Sequence, residues 1–265
     1  MINVNKMFSK LFGKKKKENS KAEAFNEAAN KIGTADESLI DMAIISISMD
    51  PQQGSLHLLN ATSKENLFIP SMNDNFSGAC ITDPPDEDCV YIAAHSSKDR
   101  CVKFTQENQE FSHCVEVSFM TLLFESQEKV GIILNPDDEY INLPIAPKNM
   151  ELFRNLVRAS FKLTEGSYYF TRSGDVDIVK VLKIDDGGIH LSLFSNSYKT
   201  APTKLDVEEL SFSADDRSGN SGIGHIPITL DKFFAWSPTQ IQEGQVLESE
   251  LEGYNMWLEA KGGYF

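Results

Sequence analysis

Between Val115 and Leu134 the spacing of apolar residues changes period twice. Val115 and Val117 alternate with polar neighbours, as in a strand; Phe119, Leu122, Leu123 and Phe124 fall at helical spacing; and Val130-Gly-Ile-Ile-Leu134 is apolar throughout before Asn135-Pro136. The pattern predicts strand, helix, strand, with the last strand covered on both faces and a right-handed crossover. Upstream, the apolar series from Leu39 to Met49 follows Thr34 and Glu37 at capping-box spacing and runs to Asp50-Pro51, which predicts the first core helix. Leu56, Leu58 and Leu59 predict a shorter helix, Leu67 to Pro70 a strand, Ser71 to Asp88 a polar loop, and Cys89 to Ala94 another strand. Ser96 or Ser97 is placed to cap a helix through about Thr105. Beyond the organising stretch, Tyr140, Ile141 and Leu143 predict an edge strand stopped by Pro144 and Pro147, and Met150 to Phe161 a helix.

A new pattern begins after Thr164 to Gly166. Tyr168-Tyr-Phe170 precedes Val176 to Ile184, the turn Asp185-Asp-Gly-Gly188 and Ile189 to Phe194, a strong hairpin signal. Ile226-Pro-Ile228, Phe233, Phe234 and Trp236 follow, and a last helix is expected from Ser249, with Glu252 as box partner, presenting Leu251, Tyr254, Trp257 and Leu258. The expected class is α+β: a mixed β-sheet with packed helices, in two domains. Residues 1–35 form a basic tail and linker helix, 36–163 the first domain, and 164–265 a β-led second domain.

Several short motifs resemble the N-terminal domain of the bacterial SseB family, the enhanced serine sensitivity proteins. They are Asp50-Pro51, Leu58-Leu59, Leu67-Phe-Ile-Pro70, Val90-Tyr-Ile-Ala-Ala94, the valine-x-valine of Val115 and Val117, Thr121-Leu-Leu-Phe-Glu125 and Gly131-Ile-Ile-Leu-Asn-Pro136, within residues 36–145. Where family members often carry Phe-Thr-Ser after the second strand, this chain has His95-Ser96-Ser97. The resemblance implies a small mixed α/β domain in a bacterial cytoplasmic protein and carries over no catalytic residue.

Charge narrows the class of partner. The chain of 265 residues has a formal net charge of -14, but Lys6, Lys10 and Lys14 to Lys17 precede the first acid, Glu18, leaving 19 Lys and Arg against 39 Asp and Glu in the remainder. A body this acidic repels phosphate backbones, so nucleic acid is excluded as a partner. Phe8, Leu11 and Phe12 beside Lys14, Lys15, Lys16 and Lys17 have the composition of a weak foot for an anionic membrane surface. Cys80, Cys89, Cys101 and Cys114 lack the Cys-x-x-Cys spacing of a zinc site and are read as reduced cytosolic thiols.

Candidate chemistry is sparse. Gly219, Gly222 and Gly224 are in the wrong order for a dinucleotide loop, the histidines show no i, i+4 pairing, and Gly-x-Ser-x-Gly is absent. His113-Cys114, on the predicted central strand, is read as core packing. No catalytic residue, metal or cofactor is expected. These readings favour a non-catalytic cytoplasmic protein-interaction protein, an accessory regulator or toxin-immunity type, that presents an acidic surface to a basic protein partner. The expected partner-binding residues are Trp236, Phe233, Asp215, Asp216, Asp137 and Asp138. The alternatives are peripheral membrane association through the tail and an enzyme whose residues meet only in three dimensions.

Overall fold

The computed structural model describes residues 38–82, 89–139, 141–172, 176–213 and 221–265. Among these, seven α-helices and three sheets make an α+β fold. The chain divides into two compact units, the first ending at Arg158 and the second spanning Ala159–Phe265.

The first unit opens with α1 (Leu39–Met49) and α2 (Pro51–Thr62), joined by one residue. Asp50 ends α1 and caps α2: its side chain accepts from the amides of Gln52 and Gln53, and Pro51 takes the first helical position, where no amide is needed. The cap of α1 is Ser38, which accepts from the amides of Ile40 and Asp41. The expected Thr34 and Glu37 box lies outside the described residues. The corner is tight at Gly54, where a Cβ would fall inside contact distance of the backbone N and Cα of Ile47. Alanine ordinarily favours a helix over glycine by about 1 kcal/mol. Here we expect the opposite sign: Gly54→Ala should lower stability by about 1–3 kcal/mol, because backbone atoms cannot rotate away from the added methyl. The check is a lower urea midpoint with an unchanged slope.

Strands β1 (Leu67–Ser71) and β4 (His113–Val117) form an antiparallel two-stranded ribbon. A second, mixed sheet has the order β2 (Ile81–Thr82), β3 (Val90–Ala94), β5 (Val130–Leu134), β6 (Leu143–Ile145). Helices α3 (Lys98–Glu107), α4 (Phe119–Glu125) and α5 (Pro147–Ser160) complete the unit. The predicted strand, helix, strand of the organising stretch is present as β4, α4 and β5. Its pairing is different: β5 runs parallel to β3, in register Val90↔Val130 through Ala94↔Leu134, while β4 pairs β1 in the ribbon. The reason is burial. The apolar runs of β3 and β5 suit strands covered on both faces, whereas the polar alternation of β4 suits a half-exposed ribbon. The expected polar loop contains β2, and Pro144 sits inside β6 rather than ending it. It is tolerated there because β6 is an edge strand.

The second unit is an antiparallel sheet of order β10 (Ile223–Ile228), β9 (Ile189–Tyr198), β8 (Val176–Ile184), β7 (Tyr168–Arg172), β11 (Thr239–Gln242). Strand alternation sorts its core. Tyr168, Phe170, Ile178, Phe194 and Leu205 cluster together, while the intervening Tyr169 meets Phe161 and Phe233, with ring centroids 6.0 and 5.6 Å away. Phe233 belongs to α6 (Leu230–Ala235). The expected terminal helix begins later than Ser249. A 3₁₀ turn, Glu248–Leu251, precedes α7 (Glu252–Glu259), and the reciprocal cap joins Leu247 and Glu250.

Candidate functional site

In the first unit, polar groups collect just past the carboxyl ends of the parallel pair β3 and β5, the position where open α/β sheets place ligands. His95 follows β3, and its backbone exchanges two hydrogen bonds with Phe68, tying the sheet to the ribbon. Asn135 follows β5 with φ 49°, a left-handed conformation that Asn adopts more readily than most residues. Its Oδ1 accepts from the Ser96 amide at 2.9 Å, and its Nδ2 donates to Asp41 Oδ1 at 2.9 Å. Arg100 donates to Asp138 Oδ2 at 2.8 Å and approaches Asp41 Oδ2 at 3.4 Å, while Asp138 Oδ1 also accepts from the Ile141 amide. Two of the expected partner-binding acids, Asp137 and Asp138, thus lie in this network, with side chains 27% and 22% exposed.

His95 is fully buried, neither ring nitrogen has a hydrogen-bond partner, and Nδ1 lies 3.5 Å from Asp137 Oδ1. Burial lowers its pKa from 6.5 to about 4, overcoming the attraction of Asp137, and Arg100 adds to the lowering. As pH falls below 6.5 the unfolded chain protonates first, so stability contributed by neutral His95 is present above 6.5 and is lost down to about pH 4. The expected loss approaches about 3 kcal/mol. Urea unfolding at pH 7 and pH 4.5 should show it, and His95→Gln should flatten that part of the pH dependence.

The second unit holds the other constellation. The hairpin turn carries Asp185, β9 carries His190 and β10 carries His225; the cross-strand partner of His190 is Pro227, two residues beyond His225. His190 Nε2 lies 3.1 Å from Asp185 Oδ2, and His190 Nδ1 lies 2.9 Å from His225 Nε2. The bonds are satisfied when His190 donates from Nε2 to Asp185 and accepts at Nδ1 from His225, which leaves His225 Nδ1 as the outer end of an Asp–His–His chain. Tyr254 and Tyr264 donate to the two oxygens of Asp185 at 3.4 and 3.3 Å. Burial, with the Asp185 carboxylate next, pushes the Tyr264 hydroxyl up to about 12. Burial also lowers His190 and His225, so both favour the neutral form.

Three aromatic rings close over His190. The centroids of Trp257, Tyr254 and Tyr264 lie 4.6, 4.7 and 5.4 Å from its ring, which is fully buried. Tyr264 can approach because the turn ends in glycines: a Cβ on Gly188 would stand 2.6 Å from the Tyr264 ring. The final residues continue the enclosure, with Phe265 and Thr229 donating to the carbonyls of Pro227 and Phe265 at 3.1 Å each. The cluster can pass a proton along Asp185, His190 and His225, and its two ends, Asp185 and His225, are both half-buried while His190 between them is fully buried.

The remaining expected site residues are scattered. Phe233 is fully buried among Phe161, Tyr169 and Phe234, so it presents no surface to a partner. Trp236 is half-buried, and its backbone ends α6. Asp215, Asp216 and the tail residues Phe8, Leu11, Phe12, Lys14, Lys15, Lys16 and Lys17 lie outside the described residues. His113 is exposed and Cys114 half-buried on the ribbon, so the pair is not on a central strand. The sequence reading missed the Asp185, His190, His225, Tyr254 and Tyr264 cluster. Only the Asp185 to His190 spacing across the hairpin turn was available to suggest it; the other members arrive through strand register and the fold of the last segment.

Among the described residues, no group of three or more His, Cys, Asp or Glu side chains is arranged to hold a metal ion. No helix among them is long and apolar enough to cross a membrane. No family model, curated protein or solved structure matches the chain.

Proposed function

We propose that this is a cytoplasmic, non-catalytic protein-interaction protein of the SseB-like kind, an accessory regulator or toxin-immunity protein, whose acidic body meets a basic partner. The observation that carries this reading is a set of apolar residues on the first two helices that the other described residues leave exposed. Leu39, Met42 and Met49 recur along α1 with 42%, 54% and 57% exposure, and Leu56 on α2 is 47% exposed. Apolar side chains grouped this way mark an interaction surface more often than isolated ones do. The two helices contribute no Lys or Arg of their own, and Asp50 lies at the corner between them; the cation nearest to α1 in the ion pairs described is Arg100, which is paired with Asp41 and Asp138. The apolar face supplies affinity, and the acidic body speeds encounter.

The test is affinity capture from the protein's own cell lysate, followed by binding kinetics with the captured partner. Replacing exposed Met42 and Met49 together with Asp should preserve folding and weaken binding at least tenfold. The association rate of the unmodified chain should fall as the screening length shortens from about 30 Å at 0.01 M salt to about 8 Å at 0.15 M. A partner indifferent to the double substitution would remove this face from the interaction, and a salt-independent on-rate would remove the electrostatic part.

One observation favours a second reading, an enzyme using acid–base chemistry at His225. Asp185 and His190 orient and polarise this ring as the buried members of catalytic triads do. Turnover of a chromogenic ester by the pure protein, lost in His225→Gln, would support it and overturn the interaction reading.

A further inference from the structure

The last segment of the second unit is fastened to the sheet at one histidine pair. His190 and His225 stack with ring centroids 5.1 Å apart and planes 10° from parallel, and His190 Nδ1 lies 2.9 Å from His225 Nε2. The final segment closes on this pair from two sides. Trp257 and Tyr254 of α7, together with Tyr264, pack on His190, while α7 sits so close to His225 that a Cβ on Gly253 would stand 2.5 Å from the His225 Cβ. We propose that the His190–His225 pair is a proton-operated latch: it holds α7, Tyr264 and Phe265 on the sheet while it carries no more than one proton beyond the neutral state, and releases them when it takes a second.

The limit of one follows from the bond between the rings. Of the two nitrogens that face each other, one must donate and the other accept. A first added proton goes to His225 Nδ1, the outer end of the chain, and leaves in place both this bond and the one from His190 Nε2 to Asp185. A second has only His190 Nδ1 to go to, which would set two N–H donors against each other across 2.9 Å and two like charges in stacked rings. Neither ring can move aside alone, because His190 is fully buried under three aromatic rings and His225 lies against α7 at Gly253. The surrounding charges do not offset the second proton. Asp185 is already shared with the hydroxyls of Tyr254 and Tyr264. Lys183, opposite His190 on β8, is paired with Glu165, and Lys180 of the same strand is paired with Glu250. Asp186 in the turn, Glu252 and Glu259 on α7 and Lys261 beyond it are exposed. Burial lowers both histidines, and His190 adds to the lowering of His225, so the closed state is favoured at neutral pH and weakens as pH falls.

The test is amide hydrogen exchange on the full chain at about pH 7.5 and about pH 5, read as protection factors so that the pH dependence of intrinsic exchange drops out. Protection of α7, and of the Phe265 amide that donates to the Pro227 carbonyl, should fall at least tenfold, while the β8 and β9 hairpin stays protected. The ring-proton NMR signals of His190 and His225 should titrate in two steps more than about one pH unit apart, as coupled sites do, and the loss of protection should follow the lower step. In His225→Gln the new side chain takes no proton and its amide group can donate to His190 or accept from it, so the loss of protection should shrink to less than twofold. Unchanged protection of α7 at the lower pH, a loss that spreads equally over the hairpin, two histidines that titrate independently, or an acid response that survives in His225→Gln would each overturn the proposal. If His225→Gln does not fold, exchange and titration of the unmodified chain decide the matter.

Discussion

Glu250→Ala is expected to be among the most damaging single substitutions in the second unit, lowering its stability by about 3–5 kcal/mol. The reason lies in its partner. Lys180 sits on β8 with a side chain only 3% exposed; its Nζ is 2.6 and 2.7 Å from the two Glu250 oxygens and 5.2 Å from the centroid of the Tyr168 ring. Removing the carboxylate would strand a buried ammonium, with one aromatic face as its remaining compensation. The same carboxylate accepts from the Leu247 amide at 2.7 Å, so the entry to the last helical segment would loosen too. Replacing both members, as Lys180→Met with Glu250→Leu, should cost less than Glu250→Ala alone, because no unpaired charge is left behind. Urea unfolding at neutral pH is the measurement. A cost below about 1 kcal/mol for Glu250→Ala would show that Lys180 reaches water and that the pair behaves as an exposed one.

Phe233→Ala should cost a comparable amount, about 3–5 kcal/mol, through a cavity at the meeting point of Phe161, Tyr169 and Phe234. This outcome separates two roles for the aromatic run. A partner-binding Phe233 would lose affinity with little loss of stability, whereas the buried Phe233 should lose stability first and affinity only by unfolding. Trp236→Ala is the control: Trp236 is half-buried at the end of α6 and should cost much less. Thermal or urea unfolding of both variants, beside partner binding at a temperature where both remain folded, checks the distinction.

The fold was legible wherever a local period decided it. Leu39 to Met49, the strand at Leu67, Ser97 as a cap, and the hairpin across Asp185-Asp-Gly-Gly188 follow from spacing and turn chemistry within a few residues, and the structure contains each of them. Pairing across longer separations was less legible. The neighbour of β5 is β3 rather than β4, and the difference was recorded only in the continuity of the apolar runs, Val90 to Ala94 and Val130 to Leu134. The functional reading was least legible at its charges: Asp137 and Asp138 look alike in sequence, yet Asp138 binds Arg100 while Asp137 approaches a buried His95.

By itself, the sequence determined the α+β class, most of the local elements and the strong excess of negative charge. These depend on residue type and on contacts between near neighbours. Tertiary structure alone decided which groups share an environment. It buried Phe233, left Leu39, Met42 and Met49 exposed, and gathered Asp185, His190, His225 and Tyr264 from positions up to 79 residues apart. Such meetings depend on strand register and on how helices close over a sheet. A one-residue slip in register turns every side chain to the other face, so they become definite only when the whole core is assembled.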